Sequence, residues 1–150
     1  MATPIEEQIA ANVLTRIASI TTGNSYEQTL IAERPNKKRG NRLRDLLAVV
    51  YEEDRDPRES AQSLEEWTKQ FAVAVYLIES EASSTLIDTR ANTVAADVEK
   101  AVATDRFWSS LATNTTLRGT ERFDVETGDM AGIVIYFDVH YSTPEADPYS

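Results

Sequence analysis

Residues 67 to 79 read Trp67-Thr68-Lys69-Gln70-Phe71-Ala72-Val73-Ala74-Val75-Tyr76-Leu77-Ile78-Glu79. In an extended chain Phe71, Val73, Val75 and Leu77 share one face, while Ala72, Ala74, Tyr76 and Ile78 share the other. Both faces are apolar, which predicts a strand in the middle of a sheet. One face belongs on the core, and in a small two-layer fold the other needs cover from something else.

Working outward, Ser83-Ser84 reads as the cap of a helix whose Ile87, Ala91, Val94, Ala95, Val98, Ala101 and Val102 recur at helical spacing. Asp88, Arg90, Asp97, Glu99 and Lys100 fall on its polar side. Asp105 to Leu111 predicts one helical turn with Phe107, Trp108 and Leu111 as plugs. Thr115 to Glu126 and Ala131 to Tyr141 then flank a Thr127-Gly128-Asp129 turn as a hairpin. In its last strand the odd-numbered Ile133, Ile135, Phe137, Val139 and Tyr141 form the core side.

Toward the N-terminus, Thr3-Pro4 with Glu6 predicts a capped helix from Pro4. Its stripe is Ile5, Ile9, Val13, Ile17 and Ile20, with Glu6, Glu7, Asn12 and Arg16 facing away. Tyr26 to Glu33 and Leu43 to Glu53 read as two strands joined as a hairpin with a long polar tip. Glu52-Glu53-Asp54-Arg55-Asp56-Pro57-Arg58-Glu59-Ser60 reads as an acidic, solvated connector. The expected fold is α+β: a two-layer sandwich in one domain, 1 to 150, with a mostly antiparallel sheet of about five strands and two helices on one face.

Composition narrows the chemistry. At 150 residues the chain is long enough for a real core. It has no cysteine, which excludes disulfides, a thiol nucleophile and Cys-ligated zinc. His140 is the one histidine, on the less apolar face of the last strand and without a second ligand at metal spacing, so a surface or satisfied imidazole is expected. Neither GxGxxG, GxxxxGK[ST] nor Gly-x-Ser-x-Gly occurs, and the acids at 52 to 59 fit no EF-hand loop. The Asn114-Thr115-Thr116 sequon carries no weight without a signal peptide. No catalytic residue, metal or cofactor is therefore expected. Lacking a basic leader and any long apolar run, the chain is expected in the cytoplasm without a membrane partner.

The formal net charge of -10 disfavours wholesale wrapping of nucleic acid. Against it stands one anomaly. Arg34, Lys37, Lys38, Arg39, Arg42 and Arg44 are six of the 15 basic residues, gathered in a stretch, 34 to 44, that holds no acid. Such a hairpin arm is either a solvated tip or a complement to phosphate or to the negative body of another copy. The segment 142 to 150 has no periodicity and carries Tyr149, which predicts an extended tail lying on a neighbouring subunit or partner rather than in its own core.

Taken in order, these elements resemble the tail terminator (tail completion) proteins of long-tailed bacteriophages. The resemblance rests on the opening helix Ile5 to Ile20, Tyr26 with a strand ending in Glu33-Arg34, and the two-sided strand Phe71 to Ile78. It continues through Ala96-Asp97-Val98-Glu99-Lys100-Ala101-Val102, Asp105 to Leu111, and the last strand Phe137-Asp138-Val139-His140-Tyr141 with Thr143-Pro144-Glu145-Ala146-Asp147-Pro148. It implies a non-enzymatic structural protein of the virion, found at the head-tail interface and forming a ring, usually of six copies. Such a ring caps the head-proximal end of the tail tube, stops its polymerisation and meets the head-completion (connector) protein, while DNA transits the lumen without specific binding. Ala72, Ala74, Tyr76, Ile78 and Tyr149 are then the expected subunit interface, and the arm a partner-binding element. The alternatives are a head-completion or stopper protein of the same neck, a nucleic-acid-binding module using the arm, and a small enzyme.

Overall fold

The computed structural model describes residues 2–61, 64–79, 86–125, 129–144 and 146–149, with the backbone alone over 58–61. The elements follow as α1 (Ile5–Ala18), β1 (Ile31–Glu33), β2 (Leu47–Glu52), β3 (Asp56–Ala61), β4 (Leu64–Ile78), α2 (Ile87–Thr104), β5 (Asn114–Asp124) and β6 (Met130–Pro144). A six-stranded sheet runs β1-β2-β4-β6-β5, with β3 paired to the first half of β4. The architecture is α+β, with both helices on one face of a mostly antiparallel sheet.

The two-sided strand is indeed central, with β2 and β3 along one side of it and β6 along the other. Phe71, Val73, Val75 and Leu77 are fully buried against the helices, together with Ile133, Ile135, Phe137, Val139 and Tyr141 of β6. The predicted stripe of α1 is buried at every position, as is that of α2 from Ala91 to Val102. Phe71 stacks on Phe137 at 5.5 Å, Phe137 on Trp108 at 5.9 Å, and the Arg16 guanidinium closes the column 3.7 Å above the Trp108 ring. Arg16 therefore faces the core edge rather than solvent. Glu6 likewise turns inward, to grip the buried Lys69 together with Glu52. Burial works against the Lys69 charge, yet the two carboxylates outweigh it and raise its pKa.

Five further expectations are corrected. The first two strands are not a hairpin, because β1 and β2 run parallel, Ile31 beside Leu47 and Glu33 beside Val49. The connection from 34 to 46 is long enough for the crossover that parallel strands require. Tyr26 to Leu30 forms no strand, since the Glu27 and Gln28 N–H groups donate to the Asp97 carboxylate and the Leu30 N–H to the Ile20 carbonyl. That also removes Asp97 from the polar side of α2, where it is 4% exposed. The acidic connector is in part a strand, β3, so the sheet has six strands rather than about five. Pro4 sits at the N-cap of α1, and no side-chain cap forms there. The expected cap at Ser83-Ser84 and two residues of the Thr127-Gly128-Asp129 turn lie outside the described residues.

The tail departs furthest from its expectation. Residues 142 to 144 continue β6 against Leu64 to Glu66, and the Pro148 carbonyl accepts the Ile5 N–H at 2.9 Å, so the segment docks on its own first helix. Tyr149 is left half-exposed at that corner.

Candidate interaction surface

The helix-free face of the sheet is built in rows. Tyr51, Ala72 and Tyr136 stand side by side on β2, β4 and β6; Val49, Ala74 and Val134 form the next row; Leu47, Tyr76 and Gly132 the third. Each alanine is thus flanked by larger neighbours, and Ala72 and Ala74 are only 7% and 6% exposed. The alanines form a floor, and the side chains open to a partner are Tyr51, Tyr76, Ile78, Val134 and Tyr136. In the third row Phe123 of β5 fills the place of the missing Gly132 side chain and meets Tyr76 edge-on at 5.3 Å. Burial, followed by the neighbouring Tyr51, pushes the Tyr76 phenol pKa up. The Tyr136 hydroxyl donates to Glu121 at 3.0 Å.

Toward the other end the same face turns polar. Each His140 ring nitrogen lies 3.0 Å from a threonine hydroxyl, Nδ1 from Thr68 and Nε2 from Thr116, so the imidazole is a satisfied surface group. Arg118 Nε donates to the buried Asp138 carboxylate at 2.5 Å. Beyond β6, β5 ends the sheet, and its outer side has no partner strand among the described residues.

The basic stretch is folded back along β1. The Asn36 side-chain oxygen accepts the Lys38 and Arg39 N–H groups at 3.2 Å, and the Asn41 oxygen accepts the Asn36 N–H at 3.0 Å. Asn41 also donates to Glu33 and to the Arg34 carbonyl. Gly40 closes the turn at φ +69°, a conformation glycine adopts without strain, and its N–H donates to the Asn36 carbonyl at 2.8 Å. Asn36 and Asn41 were legible only as generic loop formers, yet they organise the whole arm.

The six cations divide in two. Arg34 forks onto Glu7, at 2.8 and 3.2 Å, and reaches Glu52 at 3.3 Å; Arg44 pairs with Glu33 at 2.5 Å. The hydrogen bond from Arg34 holds the Glu7 carboxyl below the usual range, and Arg44, then Asn41, does the same for Glu33. Lys37, Lys38, Arg39 and Arg42 are exposed and form no ion pair among the described residues. Neither a metal-binding cluster of His, Asp and Glu nor a helix long and apolar enough to cross a membrane occurs among the described residues.

Fold and surface define an α+β protein with one helix-covered sheet face, one open aromatic face and an ordered basic arm. No protein-family model matches the chain, and no curated protein does. It aligns with a chain in the solved structure of the virion of a native gene transfer agent particle, with a TM-score of 0.41 and 11% identity over 93% of this chain and 92% of that one.

Proposed function

We propose that this chain is a non-enzymatic structural protein of a tailed-phage virion. Its copies close into a ring, of six by the resemblance, on the head-proximal end of the tail tube. The ring ends tube growth, presents the surface that joins the head-completion protein, and leaves a hole for DNA. The observation that carries the reading is the helix-free face of β2, β4 and β6, where Tyr51 is exposed and Tyr76, Ile78, Val134 and Tyr136 are half-exposed, beside the edge of β5, unpaired among the described residues. A face and an edge that point in different directions favour a heterologous contact, and such a contact becomes a ring when its rotation closes. The test is a tube-growth assay: tube protein polymerised with the purified chain stops at short, uniform lengths, whereas an unchanged length distribution contradicts the reading.

A further inference from the structure

Two sets of charges have no ion-pair partner among the described residues. The first is the outward side of the arm, Lys37, Lys38, Arg39 and Arg42. The second lies where β2 passes into β3 and β4 begins: Glu53, Asp54, Asp56, Glu65 and Glu66, none of which forms an ion pair among the described residues. The one described cation inside that acidic run, Arg55, is turned away, onto the Trp67 ring at 3.9 Å and toward Glu6. These five carboxylates therefore keep a net negative field, and none of them pairs with the arm, although Arg34 reaches the neighbouring Glu52.

We propose that the arm docks on the acidic β2–β3 segment of a second copy of this chain. The proposal deepens the ring reading, on which it rests, by naming the contact that sets the order of subunits. Three observations carry it. The charges are opposite and similar in number, four cations against five carboxylates. The arm is held in one shape by Asn36, Asn41 and Gly40, so presenting its cations costs little further ordering. The occupant is also chosen by charge: with a chain total of -10, the body beneath the arm repels a polyanion such as duplex DNA but offers the arm a negative surface on every other copy. An arm and an acceptor made of different residues allow a head-to-tail contact, which closes a ring when its rotation permits.

The experiment uses charge exchange on the full chain, read by sedimentation velocity at low and high salt. One variant carries Lys37→Glu, Lys38→Glu and Arg39→Glu; the other carries Glu53→Lys, Asp54→Lys and Asp56→Lys. All six side chains are exposed, so both variants are expected to fold as the parent does, which circular dichroism checks. Each variant alone self-associates about tenfold to a hundredfold more weakly than the parent, as expected for a few exposed ion pairs turned repulsive. An equimolar mixture of the two restores assembly, because every contact in an alternating ring is again between opposite charges. Parent-like assembly of the arm variant overturns the proposal and leaves the ring reading standing. So does a mixture that fails to assemble, which assigns the arm another acceptor. Loss of duplex DNA binding by the arm variant with assembly intact hands the arm to DNA. A parent chain that stays monomeric, alone and with tube protein, overturns both the proposal and the ring reading.

Discussion

The Asp97 carboxylate holds the N–H groups of Glu27 at 3.3 Å and Gln28 at 2.9 Å, and so ties the segment after α1 to the second helix. Replacing it with alanine leaves two part-buried backbone donors without their acceptor, and we expect Asp97→Ala to cost about 1–3 kcal/mol in urea denaturation. Asp97→Asn, which keeps one acceptor, loses about half as much. A loss below about 0.5 kcal/mol for the alanine variant contradicts the assignment. Helical spacing put Asp97 among solvated residues because periodicity weighs only how apolar a face is, and a carboxylate serving backbone donors looks the same as one in water. Trp108 shows the opposite case. Its burial was legible from size and position, and it is fully buried, with its indole N–H on the Thr115 hydroxyl at 2.8 Å. Its backbone was not legible: Trp108, Ser109 and Ser110 take φ of 50, 59 and 68°, a left-handed turn instead of the expected helical one. The Asp105 carboxylate holds that turn by accepting the Phe107 and Ser109 N–H groups, and this leaves Phe107 56% exposed rather than plugged in.

Among the elements, both helices, the central β4 and the β5–β6 hairpin follow from sequence patterns, since the helices bury apolar stripes and Phe71 to Leu77 and Ile133 to Tyr141 bury one apolar face each. The short strands do not. β1 has three residues and β3 begins Asp56-Pro57-Arg58, and neither carries the alternation by which a half-buried strand is recognised. Strand direction is also invisible to alternation, so the crossover from 34 to 46 read as a hairpin tip. The tail gives a prediction at this scale. Truncation after Tyr141 removes the strand pairs that Ser142, Thr143 and Pro144 make with β4 and the Pro148 carbonyl that accepts the Ile5 N–H. It also strips the Thr143 hydroxyl from the Trp67 indole N–H, 3.2 Å away. We expect a loss of about 2–3 kcal/mol, from several hydrogen bonds at about 1 kcal/mol each, seen as a lower denaturation midpoint. A truncated chain as stable as the parent would place the tail on a neighbour after all.

At the scale of the whole molecule, a long two-stranded ribbon, β4 with β6, carries an apolar core on one side and an aromatic shelf on the other. The sequence pattern announced the second face through Ala72, Ala74, Tyr76 and Ile78, but only the fold shows which of these remain open. The shelf partners Tyr51, Val134 and Tyr136 lie on other strands, so their membership depends on register that no single stretch encodes. If the shelf is where subunits meet, a charge placed on it blocks association while leaving the helix-covered core untouched. The most direct measurement is negative-stain imaging of the purified protein at micromolar concentration, alone and with tube protein, beside a Tyr76→Asp variant. The account predicts rings with a central hole for the parent, and folded single subunits with no rings for the variant. Single subunits of the parent under both conditions, or undiminished rings of the variant, would contradict it.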